Sequence, residues 1–261
     1  AIPVKIGQES KPFLLDTGAS ASIIDSQIAK QLGLASRPVP TELFKYTVVG
    51  NNCSNVEVTL HPLPILGVDS ATVEGLNGMG LPPASIPGKM AGVLGIDFLS
   101  SFDIVLNPKT LQLKLLPPSQ TTETAIPLVG KLGNITAQVQ VNRQGPFTFV
   151  LDTGADLNVI STDLAQKLSL NLSQAKEIEV MGFCGTEKGK QIKLDRISLQ
   201  QHQANELDAI VLDSNIFKLL GVDGIIGQNF LNRYQQHWRF NQRNALGFSD
   251  SGTLVLTPLS P

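Results

Sequence analysis

Two aspartates stand in the same local setting, 136 positions apart. Asp16 lies in Leu15-Asp16-Thr17-Gly18-Ala19 and Asp152 in Leu151-Asp152-Thr153-Gly154-Ala155. A single Asp-Thr-Gly says little, since roughly one chain in twenty of this length would contain it by accident at average composition. The plain structural account is a pair of turns in which Asp and Gly close a strand and Thr faces solvent. The chemical account explains why these three residue types sit together twice. If two such turns meet across a twofold axis, as repeated units commonly do, their carboxylates face each other. Like charges that close do not both ionise, so one pKa rises, the other falls, and the pair holds one proton over a wide acidic range. One carboxylate then serves as base toward a water and the other as acid toward a carbonyl oxygen. The hydroxyls of Thr17 and Thr153 can hydrogen-bond to backbone across the axis and lock the turns in register. Gly18 and Gly154 leave room for backbone N–H groups near the carboxylates. The scheme requires no metal and no cofactor.

The elements that must position these turns are also written twice. Residues 14–34 laid over 150–170 without a gap give 9 identities in 21 positions. A second block, Gly92-Val93-Leu94-Gly95-Ile96-Asp97-Phe98-Leu99, matches Gly224-Ile225-Ile226-Gly227-Gln228-Asn229-Phe230-Leu231 at an offset of 132. Between the copies, Leu116 to Thr124 carries two prolines in a polar run with no apolar period, which reads as a linker. The expected layout is an N-terminal half, residues 1–116, a linker at 117–124 and a C-terminal half, residues 125–261.

Short apolar runs at Val4, Ile6 and Phe13 to Leu15 predict a hairpin, repeated by Val139, Val141 and Phe147 to Leu151. After each motif a short helix is expected, N-capped by Asp25 or Ser161, with Ile28, Ala29 and Leu32 or Leu164, Ala165 and Leu168 on its buried face. Gly33 is placed to stop the first helix, whereas Ser169 ends the second without a glycine. The Gly-hydrophobic-hydrophobic-Gly blocks read as buried strands entering tight helical turns, a packing role without chemistry of their own. Asp103 to Pro108 and Leu111 to Leu115 predict a closing hairpin, echoed by Trp238 to Phe240 with Ala245 to Phe248. The second half has an early segment, Ile126-Pro127-Leu128, with no counterpart before Ala1. Ala1 in place of Met suggests a trimmed or processed start.

Composition narrows the rest. Apolar residues make up 42% and charged residues 16%, with 23 glycines and 16 prolines, which suits a mostly β protein rich in turns. The 20 basic and 22 acidic residues nearly balance, with no basic run of the kind a phosphate backbone needs, so nucleic acid is not an expected partner. No apolar stretch approaches about 18 residues, so no membrane span is expected. Two cysteines do not make a disulfide framework, and with three scattered histidines they lack the close pairing of a metal site. A thiol mechanism pairing Cys53 or Cys184 with His61 or His202 has no support in the local sequence. The compartment stays open, with a secreted or periplasmic location slightly favoured over a cytoplasmic one.

An LDTGA motif followed by a short helix and later by a hydrophobic-hydrophobic-Gly block resembles the retropepsin-like aspartic peptidases, and the resemblance covers nearly the whole chain twice. It implies a mostly β fold of two pseudo-twofold-related β-barrel halves, each with a short helix, and an active site at their interface. The implied activity is that of an aspartic-type endopeptidase on peptides or proteins at acidic pH, with Asp16 and Asp152 catalytic and Thr17, Gly18, Thr153 and Gly154 in support. Fusion of two halves implies an intramolecular pseudo-dimer and hence a monomer, between the retroviral homodimers and the longer pepsin-like chains. The family also places a β-hairpin flap between the helix and the late Gly block. Val49 and Gly50 in the first half, and Met181, Gly182 and Phe183 in the second, fall there and imply two substrate-binding flaps. Tyr46 reads as an ordinary strand aromatic. Cys53 and Cys184 would then sit at or just past the two tips, where a disulfide would tether the flaps; two unrelated small residues in strands is the preferred reading. Gln228 stands where retroviral members usually carry Arg, which breaks the pair that Arg makes with the acid matching Asp156. The alternative to an enzyme is a silent retropepsin-like domain that binds peptides or only assembles.

Overall fold

Alternating apolar and polar residues build the first hairpin. In the computed structural model of the protein, which describes residues 1–40, 55–120, 125–241, 243 and 247–259, β1 (Ile2–Ile6) pairs antiparallel with β2 (Glu9–Leu15). Val4, Ile6 and Phe13 point into the core. After the Asp16 turn come β3 (Ile23–Asp25) and α1 (Ser26–Gln31), then β4 (Arg37–Pro38), β5 (Thr59–Pro62), β6 (Leu66–Val68), β7 (Ala71–Val73) and β8 (Asn77–Leu81). The late Gly block forms β9 (Gly92–Leu94) and α2 (Ile96–Leu99), and the expected closing hairpin is β10 (Asp103–Asn107) with β11 (Gln112–Leu116).

The plan then repeats with β12 (Ile126–Lys131), β13 (Asn134–Val141), β14 (Gln144–Leu151), β15 (Asn158–Ser161) and α3 (Thr162–Lys167). Three long strands follow, β16 (Lys176–Gly182), β17 (Gly185–Leu199) and β18 (His202–Leu212), before α4 (Asn215–Leu220). The second Gly block is β19 (Gly224–Ile226) with α5 (Gln228–Leu231), and the chain closes through β20 (Tyr234–Phe240) and β21 (Ser251–Pro258).

Among the described residues the strands form two sheets, ordered β4-β5-β8-β3-β9-β2-β1-β6-β7 and β11-β10-β20-β21-β12-β13-β14-β19-β15-β18-β17-β16. The same local arrangement recurs in both: β2 runs parallel to β9, as β14 does to β19, and β3 runs parallel to β8, as β15 does to β18. The fold is thus mostly β and retropepsin-like in two halves. The two meet in the second sheet, where β10 pairs with β20 through Ile104↔Trp238. Trp238 is fully buried there, as are the equivalent phenylalanines Phe13 and Phe149, and Phe98 and Phe230.

Both expected helix caps form: the Asp25 carboxylate accepts from the Gln27 N–H, and the Ser161 hydroxyl accepts from the Leu164 N–H. Leu164, Ala165 and Leu168 are buried as expected, and so is Ala29. Leu32 is not; it stands 39% exposed at the C-cap of α1, where its counterpart Leu168 is buried. Gly33 takes the left-handed conformation at φ 65°, and Ser169 adopts φ 54° in the equivalent place with no glycine to ease it. The partner of Trp238 to Phe240 is β21, not Ala245 to Phe248: Trp238 faces Leu254 and Phe240 faces Gly252. The reason lies in alternation, since Gly252, Leu254 and Leu256 bury one side of β21 whereas Phe248 lies outside any strand.

Candidate active site

The Gly blocks aim the two Asp-Thr-Gly turns. Gly92 and Gly224 open β9 and β19 where those strands are squeezed between neighbours. A Cβ on Gly92 would lie 2.2 Å from the Ile23 carbonyl oxygen and 2.4 Å from the Phe13 ring, and one on Gly224 would lie 2.3 Å from the Val159 carbonyl oxygen. That close packing brings the strand ends to the turns, where the Asp16 N–H donates to the Leu94 carbonyl at 3.1 Å and the Asp152 N–H to the Ile226 carbonyl at 2.9 Å.

The turns then lock across the pseudo-twofold axis. The Thr17 N–H donates to the Thr153 hydroxyl oxygen and the Thr153 N–H to the Thr17 hydroxyl oxygen, both at 3.0 Å. Each hydroxyl in turn donates onward, Thr17 to the Leu151 carbonyl at 2.8 Å and Thr153 to the Leu15 carbonyl at 3.1 Å. Four hydrogen bonds therefore join the halves at one point, with both threonines buried.

The glycines have a sharper role than making room for amides. A Cβ on Gly18 would lie 2.4 Å from the carboxyl carbon of Asp152, and one on Gly154 would lie 2.5 Å from that of Asp16. Each half's carboxylate thus occupies the space that a side chain on the other half's glycine would fill. Asp16 Oδ1 accepts from the N–H of Gly18 at 2.8 Å and of Ala19 at 3.1 Å, and Asp152 Oδ1 accepts from the N–H of Gly154 at 2.6 Å.

The two carboxyl groups face one cleft, each packed against the other half's glycine. Burial first, and then the charge of Asp152, push Asp16 well above the usual carboxylate range. Burial also raises Asp152, opposed chiefly by the hydrogen bond from Asp16 and then by backbone N–H groups including that of Gly154. The pair accordingly holds a proton above the ordinary carboxylate range, and that proton belongs to the pair.

A cleft of about 620 Å³ runs past both aspartates. The hairpin of β16 and β17 hangs over it, turning at Phe183 and Cys184. Met181, Gly182 and Phe183 all line the cleft, and Met181 is largely exposed at 72%. Val49 and Gly50 lie outside the described residues. Cys184 is buried and disulfide-bonded, which overturns the reading of two unrelated small residues; the only other cysteine, Cys53, lies outside the described residues. A thiol mechanism through Cys184 is thereby removed. His61 is held between the Ala35 carbonyl and the Thr59 hydroxyl, and His202 packs edge-on against Tyr234.

Gln228 takes up part of the work expected of an arginine. Its Nε2 donates to the Thr153 carbonyl at 2.7 Å, bracing the Asp152 turn, while Asp156 stands exposed on the cleft wall. The Gly blocks also carry positioning residues that reading them as packing alone missed. Asp97 accepts from the N–H and hydroxyl of Ser22 at 2.9 and 2.7 Å, and the Ser22 hydroxyl oxygen accepts from Gly95 N–H. The second half does this with amides: Asn229 accepts from Asn158 N–H at 3.0 Å, and Asn158 accepts from Gly227 N–H at 3.1 Å. The signal was present, because the offsets of 136 and 132 pair Ser22 with Asn158 and Asp97 with Asn229. Helix α4 was missed too, although Ser214 precedes it and Gly221, at φ 59°, ends it.

Among the described residues no group of three or more His, Cys, Asp or Glu side chains is placed to hold a metal ion, and no helix is long and apolar enough to cross a membrane.

A retropepsin-like aspartic protease from Rickettsia conorii is similar to one half, at 20% identity over 50% of this chain and 89% of that one, with a TM-score of 0.36. No curated protein matches the chain. The family model described as gag-polyprotein putative aspartyl protease matches twice, over residues 2–101 and again over 137–233. With each match containing one Asp-Thr-Gly turn and one Gly block, the chain belongs to the gag-polyprotein putative aspartyl protease family, as a retropepsin-like protein of two halves.

Proposed function

We propose that the protein is an aspartic endopeptidase in which residues 1–116 and 125–261, joined by the linker 117–124, each contribute one carboxylate. What supports this reading is the Asp16–Asp152 pair itself: two carboxyl groups brought to one cleft, each against the other half's glycine, with both pKa values raised so that the pair shares a proton. A water seated on the pair loses a proton to the ionised carboxylate and attacks the carbonyl carbon of a peptide bond, while the protonated partner gives its proton to the carbonyl oxygen, forming a gem-diol. The carboxyl group that took the water's proton then passes it to the amide nitrogen, the C–N bond breaks, and a gem-diol hydroxyl returns its proton to the other carboxylate, leaving a free amine and a carboxylic acid. The hairpin over the cleft acts as a flap that excludes bulk water, with Met181, Gly182 and Phe183 against the substrate and Val49 and Gly50 in the matching role.

The test is cleavage of a casein-like substrate at mildly acidic pH, blocked by a statine-type inhibitor. The pH profile should have two limbs that belong to the pair. The alkaline limb should lie well above the ordinary carboxylate range, because the pair keeps its proton there. A flat profile through neutral and alkaline pH would count against the shared proton. Peptide binding without cleavage would favour a silent binding domain.

A further inference from the structure

A flap that swings is packed at its root and free at its tip. The β16–β17 hairpin is packed at both. At the root, Ile178 and Val180 lie against the apolar cluster of Val150, Ile210, Leu212 and Phe217, all from the second half and all lining the cleft. At the turn the neighbours belong to the first half: Cys184, 1% exposed, clusters with Ile23, Leu81, Ile86 and Val93, and Phe183 packs against the same group. Extended chain from Ile178 to Cys184 covers about 20 Å. Met181, Gly182 and Phe183, which lie between the two anchorages, line the same cleft as Asp16 and Asp152. The hairpin therefore crosses the cleft from one half to the other.

Two kinds of hold fix the far end. The apolar contact is reversible, because the tip can lift at the cost of exposing that surface to water. The second hold is covalent. Cys184 is disulfide-bonded, and the only other cysteine of the chain, Cys53, belongs to the first half. A hairpin rooted in one half and bonded to the other does not lift away while the bond is intact, whatever the apolar contact does.

Resting on the peptidase reading, we infer that the β16–β17 hairpin is a fixed strap and that the substrate is a linear, unfolded peptide that enters beneath it by a free end. A single extended chain passes between the strap and the aspartates. A loop of a folded protein, or a closed peptide ring, offers no end to thread and is held out. The strap thus selects by topology, before any subsite reads a side chain.

The test offers the intact protein one sequence in two topologies. A casein peptide of about 24 residues, which even as a ring can lay about 12 of them extended over about 40 Å, is supplied linear and closed head to tail. Wild type should cut the linear form about a hundredfold faster than the ring, whereas Cys184→Ser, with its tip free to swing, should cut the two within about tenfold of each other. Turnover of the linear form by Cys184→Ser shows that the variant is folded. If it does not fold, wild type opened with excess dithiothreitol takes its place. The dithiol is oxidised to its cyclic disulfide as the bond at Cys184 becomes two thiols, which are counted by titration after denaturation. A ring cut by untreated wild type as fast as the linear peptide overturns the inference, and so does a ring refused alike before and after the bond is opened. Absence of any cleavage sinks the peptidase reading alone. Fluorescein-labelled linear and ring peptides are then titrated against wild type by anisotropy, and the strap predicts that the linear form binds about tenfold or more tightly; equal binding, or none, overturns it.

Discussion

At the scale of single residues, the cost of the site falls on Asp16. Its pKa is raised in the folded protein, so the folded state keeps a proton that the unfolded chain has already released. Stability therefore falls as pH rises from the unfolded value, about 3.9, toward the folded one. Asp16→Asn should abolish turnover, by about a hundredfold at the least, and should raise the melting temperature at pH 7. The gain should vanish near pH 3, where both states are protonated. Parallel melts and assays at the two pH values check this, and a variant that melts lower at pH 7 with activity retained would contradict the assignment of the shared proton. Gly18→Ala is the complementary case. Its methyl would meet the Asp152 carboxyl group at 2.4 Å, so the expected result is loss of activity with about 1–3 kcal/mol of destabilisation, read from urea unfolding.

At the scale of elements, the Gly blocks do more than pack. Asp97 ties α2 to the chain leaving the first catalytic turn through Ser22. Asp97→Ala would leave the Ser22 N–H without this acceptor in a buried place, at about 1–3 kcal/mol. The same change should lower kcat more than it raises KM, because it loosens the turn that carries Asp16 without touching a substrate subsite. Steady-state kinetics with denaturant unfolding separate the two effects; a pure KM change would assign Asp97 to substrate binding instead.

At the scale of the whole molecule, the halves are held by contacts across their interface as well as by the linker and the disulfide of Cys184. β10 pairs with β20, the threonine exchange bridges the catalytic turns, and Arg243 reaches the Asp97 carbonyl and the hydroxyls of Ser100 and Ser101. The linker's start is anchored as well, with Ser119 hydrogen-bonded to buried Asp103 and reached by Arg239. A single cut near Thr121 should leave activity within about twofold, because the interface rather than the covalent tie makes the site. Residues 1–116 alone should show none. Gel filtration of the nicked protein under reducing conditions, alongside its activity, decides, and a 1–116 fragment that cleaves peptides as a monomer would refute the two-half site.

Local chemistry and internal repetition made the duplicated fold, the caps at Asp25 and Ser161, and the Asp16–Asp152 pair readable from the sequence. Each rests on residues close together in the chain or on a fixed offset between copies, and both signals survive without knowledge of packing. The tertiary structure alone decided the rest. Only close approach shows that each glycine faces the opposite carboxyl group. Only the register of β20 with β21 replaces Ala245 to Phe248 as the closing strand. Only the path of the β16–β17 hairpin carries Phe183 and Cys184 onto the other half's apolar surface. Repetition in sequence records which residues are equivalent, and it is long-range packing, which no offset records, that decides which of them touch.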